Sequence, residues 1–370
     1  MSVSSKCVLV SGAIILLGLG GLVSPAAAQD TGWRIASISP SYTGGDGFSE
    51  IAATGPADAW AVGTAPCCAT DGRKITHWDG NTWQSVDLPA APQGTLEPQL
   101  STVGASSSEN VWVFGNGADG PAFGHHWNGT TWQTTTFSTD ARIRKTAVIA
   151  PEDVWVAGLE RTDTGDRPIV EHYDGDQWTE ISLPSTVQDV TAISADAAND
   201  VWATGDGDSG VPVTLHWDGS VWHSVALPEP SLGDGVQVAV GDILAVGPHE
   251  AWATGFLTDM GLQPGPVLWR WNGKHWSLVP IDAPDDSLTS LASDGEHGVW
   301  MVSAGVRPTA DLLHYSHGSL TREPAPVEPD TTADVDGIVL IPGTHSLWGA
   351  GRLVRNGHSA AAVYRYDPED

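Results

Sequence analysis

Five acids, Glu50, Asp189, Asp242, Asp286 and Asp336, lie far apart along this chain, each beside a short apolar run that reads as a strand. If a fold brings such runs to one axis, the acids meet. Two carboxylates held roughly 5 to 10 Å apart can cleave a glycosidic bond, one as acid and the other as base or nucleophile. Glu50, Asp189, Asp242 and Asp336 are the catalytic candidates on that ground. Arg142, Arg144, Arg307 and Arg352 are the candidates for holding an anionic or hydroxyl-rich ligand, with Lys145 and Gln188 beside them. The competing reading is structural, because charges that line a narrow channel must be paired or hydrated, and Glu50, Arg142, Arg144 and Asp189 suit such a network.

Three further groups have chemistry in their residue types. Cys67 and Cys68 are adjacent, so within one chain they can bridge only each other, and an oxidising destination favours a closed bond. A vicinal bridge would floor a ligand site or merely stiffen a loop. Asp206 and Asp208 flank Gly207 in a short acidic turn that offers oxygen ligands to calcium, although the spacing is not that of a twelve-residue calcium loop and an ordinary turn competes. No other cofactor is expected. His77, His126, His172, His216 and His314 repeat at one place in successive units, which spaces them too widely for a shared metal ion and favours a structural role.

The elements that position these residues are announced by tryptophan. Trp60, Trp112, Trp155, Trp202, Trp252, Trp300 and Trp348 recur at intervals of 52, 43, 47, 50, 48 and 48 residues. A period near 48 suits a four-stranded blade, so the chain is expected to be all-β, a seven-bladed β-propeller of four-stranded antiparallel blades. In the first unit the strands read 50–54, 59–63, 75–78 and 82–88. The second strand is apolar on both faces, as a blade sandwiched between neighbours requires. A His-aromatic pair, Asp-Gly or Asn-Gly and a second tryptophan mark the hairpin between the third and fourth strands, as in His77, Trp78, Asp79, Gly80 and Trp83. The dipeptide predicts a two-residue turn with both central residues at positive φ.

The seventh unit ends after Arg365, Tyr366 and Asp367 without a fourth strand, and Thr31, Gly32, Trp33, Arg34 and Ile35 match the missing one. Residues 29–40 should therefore complete the last blade and close the ring. Seventeen of the 18 tryptophans take repeat positions; Trp269 does not, and is read either as a stacking platform for a ligand or as core. Connections between second and third strands, and those between blades, read as long and irregular, all on one face, where binding belongs.

At these residues the chain resembles exported bacterial propellers over everything after the leader. The Asp-Gly-x-x-Trp hairpin resembles the Asp-box of sialidase-like repeats, though the spacer between aspartate and glycine is missing. The Trp-Asp pair is similar to that of WD repeats, without their Gly-His dipeptide. The resemblance implies architecture and leaves activity open. A sialidase would need three converging arginines, for which Arg142, Arg144 and Arg307 serve, and a tyrosine nucleophile, for which no residue is evident.

Residues 1–28 read as a signal peptide: Lys6 precedes an apolar run from Ala13 to Val23, and small residues lead to a cleavage site near Ala28. The remaining 29–370 form one domain, expected to be secreted or extracellular, monomeric and without membrane insertion. Loss of Lys6 takes the formal charge from −29 to −30, which repels nucleic acid. The expected partner is an extracellular glycan, peptide or protein bound on the long-loop face. The alternative is an exported glycosidase, lyase or secondary-metabolite tailoring enzyme working at the channel mouth.

Overall fold

The tryptophan period resolves into seven four-stranded antiparallel sheets in the described residues, each built from consecutive strands except the last. The structure, a computed structural model, describes residues 32–368 apart from 66–70, 231–236, 259–264, 284–285 and 306–307. Blade 1 runs from the inner strand Gly47–Gly55 through Asp58–Thr64 and Arg73–Trp78 to the outer strand Trp83–Ser85. In blade 7 the outer strand is Gly32–Ile38, paired antiparallel with His358–Asp367, so the two ends of the chain share one sheet and the ring is closed.

The core is not one mass but seven seams, each an apolar cluster shared by two neighbouring blades. The repeated tryptophan makes each seam. Trp112 meets Trp178 of the next blade edge-on at 5.5 Å, Trp155 meets Trp222 at 5.8 Å, and Trp202 meets Trp276 at 5.2 Å. Across the closure Trp300 meets Trp33 at 5.6 Å and Trp348 meets Trp83 at 5.1 Å. Edge-to-face geometry sets the positive ring edge against the negative face, which adds about 0.5–1.5 kcal/mol per pair beyond burial.

The loosely repeated glycine has a cause that lies in the inner strand. There the register slips by one residue, between Phe48 and Glu50, Leu100 and Thr102, Ile143 and Lys145, Leu288 and Ser290, and Val335 and Gly337; in blade 5 the slip spans Val240 to Ile243. Opposite the bulge the inner strand presses onto the second strand at Gly63, Gly115, Gly158, Gly255 and Gly351. A Cβ at Gly115 or Gly255 would lie 2.5 Å from a carbonyl oxygen of the inner strand, at Gly158 closer still, and at Gly205 closer again, against the Asp189 carbonyl in the segment leading into that strand. Gly205→Ala is accordingly expected to cost about 1–3 kcal/mol or more through overpacking, read as a fall in the urea midpoint. An unchanged midpoint would show that the strands can part freely here. Blade 6 places the small Ser303 at this site instead.

The Asp-Gly hairpin differs from expectation. Gly80, Gly129, Gly175, Gly219 and Gly273 have positive φ, but the Asp or Asn before each does not. Trp78 pairs with Trp83, and Asp79 Oδ1 accepts the Asn81 and Thr82 amides at 2.9 and 2.8 Å. The loop is thus a four-residue turn capped by its own carboxylate, and Asn128, Asp174, Asp218 and Asn272 repeat the cap. The two-residue turn occurs elsewhere, at His317-Gly318 and Asn356-Gly357, where both residues have positive φ. The latter corrects a second expectation: blades 3 and 7 join their second and third strands by tight hairpins, Thr162 pairing with Gly165 and Arg355 with His358, not by long loops.

Candidate functional site

Each bulge turns inner-strand side chains away from the seams and toward the axis, which is how charged residues come to line a channel in a fold whose blades are apolar on both sides. Lys145 of blade 3 reaches across to Glu50 of blade 1, its Nζ donating to Glu50 Oε2. Water still touches both, with side-chain exposures of 29% and 12%. Asp242 of blade 5 faces the same ammonium, and its oxygens accept the amides of Ile243 at 2.9 Å and Leu291 at 3.2 Å. Burial alone would lower the Lys145 pKa, but the charges of Glu50 and Asp242 outweigh it and hold the ammonium above the ordinary lysine range. Burial pushes the Asp242 carboxyl up, against the pull of Lys145.

Asp336, the bulged residue of blade 7, makes no hydrogen bond or ion pair among the described residues. Water reaches it along the channel, yet the surrounding walls strip enough hydration to push its carboxyl up to about 6, Arg352 opposing and Asp334 and Glu50 adding to the shift. Next to it Gly337 is needed for space, since a Cβ there would sit 3.0 Å from Glu50 Oε1.

Nearer the mouth, Arg144 grips both oxygens of Asp189 at 2.7 and 2.8 Å and adds the carbonyl of Val190 at 3.1 Å. Arg352 pairs with Asp334 at 2.8 Å. Arg142 donates only to main-chain carbonyls, Ala141 at 2.7 Å and Thr139 at 3.4 Å, and so keeps its charge uncompensated by any carboxylate among the described residues. Burial, then the Asp189 charge, pushes Asp206 up, while Asp208 accepts from Gln188 Nε2 at 3.0 Å. No three acidic or histidine side chains converge as metal ligands among the described residues. Cys67, Cys68, Arg307 and the leader lie outside the described residues, as does the side chain of Asp286.

The chain matches no family model and no curated protein. Its likeness is to solved structures. YCF48 bound to D1 peptide is similar over 94% of this chain and 100% of its own, with a TM-score of 0.59 and 14% identity. YCF48 from Cyanidioschyzon merolae is similar over 92% and 99%, with a TM-score of 0.59 and 15% identity. The GH74 xyloglucanase from Xanthomonas campestris is similar over 89% of this chain and 54% of its own, with a TM-score of 0.56 and 13% identity. At such identities the likeness is one of fold, and these neighbours span peptide binding and polysaccharide cleavage.

The opposite face, with the short turns, contains the histidines and explains them. Asp153 Oδ1 accepts both Trp155 Nε1 at 2.9 Å and His172 Nε2 at 2.8 Å, and the imidazole stacks on that indole at 4.3 Å. Asp58 with Trp60 and His77, and Asp200 with Trp202 and His216, repeat the arrangement. Burial would raise the Asp58 carboxyl, but hydrogen bonds from His77, Thr54 and Trp60 outweigh it and hold it low. Blade 5 substitutes Glu250 and Arg270, whose guanidinium lies 5.0 Å over Trp252. The signal was present in the sequence as Asp-x-Trp, an acid two residues before the repeated tryptophan.

Blade 2 has Asn110 in the acid's place. Its Oδ1 accepts from His126 at 2.8 Å, and Trp112 Nε1 is left buried without a partner. Asn110→Asp should stabilise the protein by about 1 kcal/mol, the second carboxylate oxygen accepting from Ser106 as Asp58 does from Thr54. A thermal melt checks this; a lowered melting temperature would mean that the seam cannot take the charge.

Of the two readings of Trp269, the structure takes core. It is 1% exposed and its indole donates to Pro228 O at 2.9 Å, so it is no open stacking platform. By register it stands opposite Ala253, as Thr76 does to Ala61 and His125 to Val113. His125 in that position is wholly buried, accepts from Arg73 at 2.8 Å, and burial with the Arg73 charge brings its pKa down to about 4.

Proposed function

We propose that this chain is an exported recognition propeller whose long-loop face binds an extracellular peptide, protein or glycan. The observation that carries the reading is the engagement of the channel carboxylates. Glu50 is held by Lys145 through Oε2, Asp189 by Arg144 and Asp242 by two main-chain amides, so three of the four acids suited to catalysis are already engaged. Hydrolysis of a glycoside needs two that are free to exchange protons or attack. Export rests on the leader in residues 1–28, and no helix among the described residues is long and apolar enough to cross a membrane. Sequencing the amino terminus of the secreted protein should return Gln29.

One observation favours the second reading, an exported glycosidase, lyase or tailoring enzyme. Asp336 has no partner among the described residues, and burial pushes its carboxyl up to about 6, where a general acid works best at neutral pH. The two readings separate on purified 29–370 applied to peptide and glycan arrays and to glycoside substrates. Binding without turnover, unaltered by Asp336→Asn, is expected. Turnover abolished by Asp336→Asn with the fold intact would establish the enzyme instead.

A further inference from the structure

Where the seam between blades 4 and 5 reaches the long-loop face it opens into a cavity of about 310 Å³. That is the low end of the range for ligand sites, with room for one long side chain. Trp269 forms its floor, larger than the threonine, histidine or leucine that blades 1, 2 and 4 place at this register. Its indole N–H fixes Pro228, and with Pro230 two residues on, the Leu227–Pro230 wall is held by two rings of fixed φ. The facing wall is the turn Asp208–Gly210, in which Ser209 and Gly210 both adopt positive φ, at 62° and 71°.

This turn leaves Val211, which lines the cavity, 53% exposed. Glu229 stands exposed on the rim without an ion pair among the described residues. Leu227, Pro228, Val238 and the edge of Trp269 give the cavity an apolar side facing the polar Ser209–Gly210 turn, and with a carboxylate at the lip that has no ion pair among the described residues they suit a side chain with an apolar stem and a cationic head.

We propose that this cavity receives a single arginine or lysine side chain of a peptide bound on the long-loop face. The inference rests on the recognition reading above and narrows it to a basic peptide. The methylene stem lies against Leu227, Pro228 and Val238, and the head meets Glu229 at the rim. A glutamate would bring its charge against Glu229, in a protein whose formal charge is already −29. A purely apolar side chain would fill the walls and leave Glu229 without a partner. Arginine has the further advantage of a planar fork that can take both carboxylate oxygens.

The test uses saturation-transfer NMR, which detects weak binding, on 29–370 with the N-acetyl methylamides of arginine, lysine, norleucine and glutamate. Saturation should reach the side-chain methylenes of arginine and lysine, at least fivefold less for norleucine, and not glutamate. Glu229→Gln should weaken the arginine signal at least threefold, and Val211→Trp, which fills the opening, should abolish it. Both positions are exposed, and matched thermal melts confirm that each variant folds. Norleucine binding equal to arginine, indifference to both variants, or no signal at all would overturn the inference. If array peptides are bound equally well by Val211→Trp, the face recognises peptides without this cavity, and only the inference falls. If no peptide, protein or glycan binds, the recognition reading itself has failed.

Discussion

Deletion of residues 32–38 should lower the melting temperature by roughly 10 °C or more and turn a monodisperse protein into one that self-associates. The strand Gly32–Ile38 pairs along His358–Asp367 from Gly32 opposite Asp367 to Ile38 opposite Ala362. It supplies Trp33, which meets Trp300 at 5.6 Å and Tyr366 at 5.5 Å, and Arg34, bound to Asp367 at 2.5 Å. Losing the tryptophan alone resembles a large-to-small core change of about 3–5 kcal/mol, and for a large domain each kcal/mol is about 2–4 °C. The exposed edge of His358–Asp367 then offers unpaired amides and carbonyls to another chain. A synthetic peptide of residues 32–38, added in trans, should restore the melt in part, because it can pair again along the vacated edge of His358–Asp367. An unaltered melt in the deletion variant would mean that blade 7 is stable with three strands.

What the sequence showed, and what it hid, divides along the range of the interactions involved. The tryptophan period is a local, repeated signal, and it predicted the blade count and the closing strand because each seam solves the same packing problem with the same residues. The hairpin differs from expectation for an equally local reason. An aspartate before glycine can either adopt positive φ or cap the turn with its carboxylate, and Asp79 does the latter. The aspartate before Trp60, Trp155 and Trp202 is visible in the sequence but its role is not, since its histidine partner lies 16 to 19 residues on, as with Asp200 to His216 and Asp58 to His77. The channel was illegible: Lys145 meets Glu50 across 95 residues, and only bulges, which no composition announces, aim them at each other. Trp269 stood out in the sequence because it breaks the repeat, but whether it was covered depended on a proline segment from the neighbouring blade.

Replacing Lys145 by methionine should destabilise the protein by about 3–5 kcal/mol at neutral pH, because it leaves Glu50 and Asp242 without the ammonium they face. The loss has a pH signature whose sign follows from proton linkage. A carboxyl whose folded pKa is raised, as for Asp336 at about 6 and Asp242 in the same direction, binds more protons in the folded state than in the unfolded one. Its contribution to stability therefore falls as pH rises from about 4, the unfolded value, through the folded pKa. In the parent protein His125 opposes this over the same window. Its folded value of about 4 lies below the unfolded 6.5, so its contribution grows as pH rises between them. Asp294 and Asp367, with folded values of about 2, lose their contributions only as pH falls below the ordinary carboxylate range. The parent should thus be nearly flat from pH 5 to 7.5. Without Lys145 the Asp242 carboxyl rises further and the balance tips, so the variant should be more stable at pH 5 than at pH 7.5 by more than about 1 kcal/mol, the equivalent of about one pKa unit. Urea denaturation at the two pH values measures this directly. Adding Glu50→Gln to Lys145→Met should recover part of the loss and reduce the pH dependence, since one of the uncompensated charges is then gone. A variant whose stability does not change with pH would show that water, and not Lys145, neutralises the field of these carboxylates.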